Sequence, residues 1–210
     1  MRGRPRTDIR ARVVRAARDR FLRQGVDGAS LRGIAAAAGT SIGMVYYYFP
    51  TKDALFLAAV EDAYAVLLEG IRAALAGDAP VAVRLRRLFE RIWRMDQAEY
   101  ATVRLILREA MISSSRVKKV APRFLQGHLP LLLALLEEGR ARGELRSDVP
   151  LLAQLAAILS LGMMPVIARR IAAGAAPPDF PFPPAQVIAP ALSSVLLRGI
   201  GRPGRRGRAA

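Results

Sequence analysis

The sequence predicts an all-α protein of about nine helices, a three-helix N-terminal head followed by a longer helical domain. Three observations lead there. Apolar residues recur at spacings of three and four from Ile9 to Leu196, and no stretch alternates in the manner of a strand bounded by hairpin turns. Helix signals punctuate the chain, with Ser30, Ser41 and Thr51 as starts and Gly25, Gly39, Gly77 and Gly143 as stops. Finally, 52% of the 210 residues are apolar, enough to fill a sizeable core without an internal repeat.

In order, residues 1–6 (MRGRPR) read as a basic, unstructured arm. From Thr7 to Gln24 the positions Ile9, Val13, Ala17 and Phe21 recur at i+4, an amphipathic helix that stops at Gly25 with its arginines on the other face. Ser30 caps a short helix through Ala38, anchored by Ile34. Gly39 stands where a helix ends in a left-handed residue, a conformation glycine adopts without steric penalty. Ser41 caps a third helix, which ends before Pro50 because proline disfavours the α conformation in the residue before it.

That third helix has two faces. Ser41, Met44, Val45 and Tyr48 share one and, with Phe49, pack inward; Ile42, Gly43, Tyr46 and Tyr47 share the other. Two phenols and an isoleucine turned to solvent call for an outside ligand. A glycine inside a helix costs ~1 kcal/mol against alanine, so Gly43 points to close approach by that ligand. Lys52 opens the fourth helix, where the macrodipole disfavours a cation; a phosphate bound there reconciles the two. The other reading is an αα-hairpin with a tyrosine-rich core edge.

The stretch GTSIGMVYYYFPTKDAL, Gly39 to Leu55, preceded by LRGIAAAAG and by an amphipathic helix ending FLRQG, resembles the TetR family of one-component transcriptional regulators. The resemblance is firm over about residues 7–60 and architectural beyond. Two positions depart from the family pattern: Gly33 stands where the capping box has Glu or Gln, and Met44 where small polar residues are frequent.

The resemblance implies a helix-turn-helix domain at 7–52 and an effector-binding and dimerisation domain at 53–200, followed by a basic tail at 201–210. It implies that Ser30, Arg32, Tyr46, Tyr47 and Lys52 hold phosphates of double-stranded operator DNA, while Ser41, Ile42, Gly43 and Met44 meet base edges. Isoleucine and methionine read only by apolar contact, best with a thymine methyl, so phosphates and DNA shape are expected to dominate. One head covers few base pairs, so a homodimer on half-sites ~34 Å apart is expected.

The charge distribution agrees with a polyanion partner. Of the net charge of +16, residues 1–24 carry +7 and residues 198–210 carry +5, leaving a nearly balanced body. Arginine outnumbers lysine thirty to three throughout, a bias that does not explain why positive charge collects at the ends.

Beyond the head, Thr51 caps a fourth helix to about Ala76, stepping through Leu55, Ala59, Asp62–Ala63 and Val66. Segment 81–97 contains Leu85, Leu88, Phe89, Ile92 and Trp93. Segment 99–113 places Val103, Ile106, Leu107, Ala110 and Met111 on one apolar face, before SSSR at 113–116 breaks it. Segment 121–142 is Leu-rich, with Pro130 expected to kink or restart it. Residues 149–168 carry no charge over twenty positions, the length of a membrane span, but Gln154, Ser160, Gly162 and two prolines favour a buried helix. A Pro-rich linker at 172–184 precedes a last helix at about 185–199. The helices at 149–171 and 185–199 are the dimer candidates, pairing into a four-helix bundle.

Trp93, Met111, His128 and Met163 are aromatic, soft or polar enough to line an effector pocket, and each is equally at home in a core. Few acids stand at apolar-face positions, which favours a neutral hydrophobic effector. No catalytic constellation, metal set or cofactor motif can be assembled: there is one histidine and no cysteine, and Glu61/Asp62, Glu109 and Glu137/Glu138 read as surface pairs. The absence of cysteine fits a reducing cytoplasm, and the Arg-rich start lacks the apolar core of a secretory signal. The expectation is a ligand-responsive, cytoplasmic, nucleoid-associated repressor. The alternatives are a membrane-tethered DNA-binding protein spanning at 149–168 and an architectural protein without effector.

Overall fold

The computed structural model describes residues 6–112, 114–175, 177 and 180–200. Ten helices and no strand occur among them: α1 (Arg6–Gly28), α2 (Leu31–Ala37), α3 (Ile42–Tyr48), α4 (Lys52–Leu75), α5 (Val81–Trp93), α6 (Gln97–Ile112), α7 (Ser114–Gln126), α8 (His128–Ala141), α9 (Leu151–Ala175) and α10 (Ala185–Ile200). The expected basic arm, apart from Arg6, and the tail at 201–210 lie outside the described residues.

The chain divides into two compact units, each discontinuous in sequence. The first holds α1 to α3, α4 as far as Leu68, and α6 with α7; the second holds the rest of α4, α5 and α8 to α10. The linear division at 52/53 follows the motif; the contacts group α6 and α7 with the head.

In the first unit, α1 turns Val13, Ala17 and Phe21 inward, each fully buried, against Ile34 of α2, Val45 of α3 and Leu55, Phe56 and Ala59 of α4. Phe21 meets Phe56 edge-on at 6.3 Å between centroids. Leu105 of α6 and Val120 of α7 complete this core. Gly25, at φ 75°, interrupts α1 where the sequence places its stop, leaving one further turn to Gly28.

Three expectations for this unit fail. The inward face of α6 is Tyr100, Thr102, Leu105 and Glu109, while Leu107 is 43% and Met111 87% exposed, so the apolar face expected from Val103 to Met111 is not the buried one. Glu109, read as a surface acid, is 3% exposed because Arg116 and the Val26 amide hydrogen-bond to it. Residues 114–126, read in part as a break, form α7, with Pro122 inside it.

The second unit is built on α5, whose Leu85, Leu88, Phe89, Ile92 and Trp93 are all buried as expected. Arg84 is buried with them and forms a two-pronged bond to Glu138 of α8, at 2.8 and 2.6 Å. Gly139 lets α8 approach closely: a Cβ there would stand 2.8 Å from Leu145 and from Val81. Of kink and restart, Pro130 marks the restart: α7 ends at Gln126 and α8 starts at His128. It sits in the first turn of α8, where its missing N–H has no intrahelical partner to lose. On α9, Gln154 is fully buried and satisfied, donating to the Arg146 carbonyl at 2.6 Å and accepting from Arg140. Elsewhere α9 and α10 leave large apolar side chains exposed: Leu152, Met164 and Ile171 on the first, Val187 and Val195 on the second.

Candidate nucleic-acid interface

Short-range chemistry builds the α2–turn–α3 element. The Ser30 hydroxyl accepts from the Gly33 amide at 3.1 Å and the Ser41 hydroxyl from the Met44 amide at 3.2 Å, so both helices start on side-chain caps. Between them Gly39, at φ 62°, closes α2 in a Schellman turn, its amide bonding Ala36 O at 3.1 Å while Thr40 N bonds Ala35 O at 3.0 Å. Thr51 caps α4 through the Ala54 amide at 3.0 Å.

With α3 fixed this way, its two faces separate. Val45 and Phe49 are buried, and Tyr48 is half-buried, meeting Tyr47 edge-on at 5.1 Å. Tyr46 and Tyr47 are 53% and 67% exposed, beside exposed Ser41 and Gly43. Ile42 departs from the expectation of a solvent-facing side chain: it is half-buried and packs against the core of the head, as does Leu31 of α2. Met44 is half-buried too. The fully presented surface of α3 is thus small and phenolic, with a glycine at its centre.

Ser30 and Arg32 are exposed at the start of α2. The Lys52 ammonium donates to the Asp27 carbonyl at 3.0 Å, so it closes the end of α1 as well as standing at the start of α4. Asp27 leads to a feature that the sequence pattern hides. Arg116 of α7, its side chain 11% exposed, reaches the carboxylates of Asp27, Asp53 and Glu109, with Nε to Asp53 at 3.2 Å and Nη1 to Glu109 at 2.8 Å. Lys119 adds a second cation on Asp53. One guanidinium so ties the end of α1, the start of α4 and the buried acid of α6. The bond to Arg116 holds the Asp27 carboxyl below its ordinary range; hydrogen bonding to Lys119 first, then to Arg116, does the same for Asp53.

The four residues expected around an effector divide between the two units. Met111 is exposed on α6 of the first unit, whereas Trp93, His128 and Met163 belong to the second. Trp93 is 6% exposed; its indole N–H donates to the Pro183 carbonyl at 3.2 Å and the Arg169 guanidinium lies 4.1 Å over its ring. The two border an open groove of about 440 Å³ with Phe182 and Gln186. Burial, then the neighbouring charge of Arg170, lowers the Arg169 pKa. His128 and Met163 are half-buried elsewhere in the unit, and burial pushes the imidazole down.

A helix-turn-helix capped at each start, with an aromatic face turned outward, defines a DNA-binding class of fold. The comparisons agree. Residues 13–59 match the family model for bacterial regulatory proteins of the tetR family, and residues 80–182 match the tetracyclin repressor-like C-terminal domain. The chain is 27% identical over 142 residues to the HTH-type transcriptional repressor NicS of Pseudomonas putida, covering 67% of each. Its fold is similar to that of Bacillus subtilis FadR, solved with stearoyl-CoA, with a TM-score of 0.73 at 18% identity over 90% of this chain and 98% of that one. It is likewise similar to Salmonella enterica GusR, with a TM-score of 0.71 at 24% identity, covering 90% and 94%. The chain belongs to the TetR family of transcriptional regulators.

Proposed function

We propose that this chain is a repressor that binds palindromic operator DNA as a homodimer and leaves it when a small, hydrophobic effector binds. The observation that carries the reading is the outward face of α3, where Tyr46 and Tyr47 stand exposed around Gly43 on a packed and capped head. Tyr46, Tyr47, Lys52, Ser30 and Arg32 hold phosphates; Ser41, Gly43, Ile42 and Met44 approach base edges, the last two through whatever half-buried surface they present. Phosphates then supply most of the affinity, and operator binding weakens steeply with salt.

Dimerisation places the uncovered apolar residues of α9 and α10 against a second copy, a two-fold bundle of four helices. The effector site belongs to the domain beyond the head, with Trp93, His128 and Met163 as its candidates and Met111 the least favoured by its exposure. An effector releases DNA only by binding the two states unequally, with α4, which runs out of the head, as the lever. Selection of duplexes from a randomised pool by the intact protein tests this, repeated with neutral hydrophobic compounds and long acyl thioesters. A recovered palindrome that one class of compound releases supports the reading; no enrichment over random sequence overturns it.

One observation favours a second reading. Helix α9 has 25 residues, and its most apolar 18-residue window has a mean hydropathy of 2.0 with only 22% of it buried, so by length and composition it could cross a membrane. Its buried, doubly bonded Gln154 supports the reading as a soluble bundle helix. Sedimentation of the protein with membranes, and its release only by detergent, would favour the tether.

A further inference from the structure

Helix α1 carries Arg12, Arg15, Arg20 and Arg23 along a face that, with Ala37 of α2 and its C-cap Ala38, lines a groove of about 540 Å³. Asp19 is the one acid lining it. Arg23 donates to the Asp19 backbone carbonyl, and Arg12 stands 3.6 Å from Asp8, its buried Nε making no hydrogen bond. Arg15 and Arg20 have no ion pair among the described residues. Four guanidinia with two carboxylates beside them, Asp8 at Arg12 and Asp19 in the groove, leave the groove net positive, and an anion laid along it offsets that charge.

Gly33 shows that the groove is shaped around one of them. A Cβ at this position would stand 2.8 Å from Arg20 Nη1 and 3.0 Å from the Ser30 hydroxyl. Where a capping box would place Glu or Gln, this chain has a residue with no side chain, and a guanidinium occupies the space. Arg20 therefore lies beside Ser30, at the end of α2 assigned above to phosphates. From there the arginines run back along α1 to Arg12, near Gly39.

We propose that this groove holds the phosphate backbone of DNA flanking the half-site, with Arg20, seated over Gly33, as its first anchor and Arg15 as the next. The step from Arg12 to Arg23 spans about 16 Å of helix, more than one phosphate group needs and enough for several consecutive phosphates of a strand. Continuity with Ser30 and Arg32 favours the DNA already held there over a free anion. The proposal rests on the operator reading and extends the contact beyond the palindrome itself.

Anisotropy titrations on one recovered palindrome in two lengths test it, the longer extended by about one helical turn at each end. The full chain should gain about ten-fold in affinity from the extension. Arg15→Ala with Arg20→Ala should lose that gain and show a salt slope shallower by about 2 on the long duplex. Gly33→Ala should melt close to the parent, because alanine favours helix while the mobile end of Arg20 moves and the Ser30 hydroxyl gives slightly, yet lose part of the gain. Arg86→Ala with Arg87→Ala, exposed on α5, removes the same charge and should keep it. An extension gain retained in the Arg15/Arg20 variant, lost equally in the Arg86/Arg87 variant, or absent from the parent overturns the groove while leaving the operator reading intact. Failure to recover any duplex overturns both.

Discussion

Gly43 separates what α3 needs to fold from what it needs to bind. A Cβ there would meet only the Ser41 hydroxyl, at 3.8 Å, so nothing inside the protein requires glycine. Gly43→Ala should therefore raise stability by about 1 kcal/mol in thermal melts and lower operator affinity about ten-fold, because the added methyl stands where a base edge comes close. A gain in both would remove Gly43 from the interface. The phenol of Tyr47, 67% exposed, makes the complementary case. Tyr47→Phe should leave the melt within about 0.5 kcal/mol and weaken binding about five-fold on every duplex, which competition with unrelated sequences would register. The residues legible from sequence are those whose roles are local. Caps at Ser30 and Ser41 and the left-handed Gly39 depend on neighbours within five positions, and each stands as expected. Ile42 escapes such reading because its partial burial comes from the core of the head, which spacing along one helix does not reveal.

Among the helices, α6 and α7 show where pattern reading stops. A glutamate on a helix that also carries Arg104 and Arg108 reads as a surface acid, yet Glu109 faces inward because Arg116, seven residues on, and the Val26 amide meet it there. The ion pair thus rotates the expected face of α6. Breaking it should be costly, since Glu109 would stay buried without its cation: Arg116→Ala should destabilise the protein by about 3 kcal/mol in denaturant melts. A loss below about 1 kcal/mol would show that water satisfies Glu109 instead. The same cluster predicts an acid sensitivity. Asp27 and Asp53 are both held below an ordinary value of 3.8, so their contribution is complete above that value and is lost as pH falls through their lower folded values. Melting temperature should drop as pH is taken from about 4 towards 2, and less steeply in Asp53→Asn.

For the assembled protein, the exposed side chains of α9 and α10 make a prediction about association. Leu152 and Val195 are 75% and 62% exposed in the single chain, so a charge at either should not disturb its fold. Leu152→Glu with Val195→Glu should shift sedimentation from dimer to folded monomer and cut operator affinity with it; an unchanged dimer would move the interface elsewhere. The sequence shows both stretches as helices by their apolar runs, and α9 and α10 form there. It did not foresee that α6 and α7 pack with the head, a grouping made by contacts more than fifty residues apart, such as Arg116 with Asp53. That grouping constrains any attempt to build hybrid regulators. A transplant of residues 1–60 onto a relative's body would carry Asp27 and Asp53 but leave Arg116 and Lys119 behind. A working exchange of operator preference needs either a cut that takes α6 and α7 along or a recipient that offers its own cations at those two places.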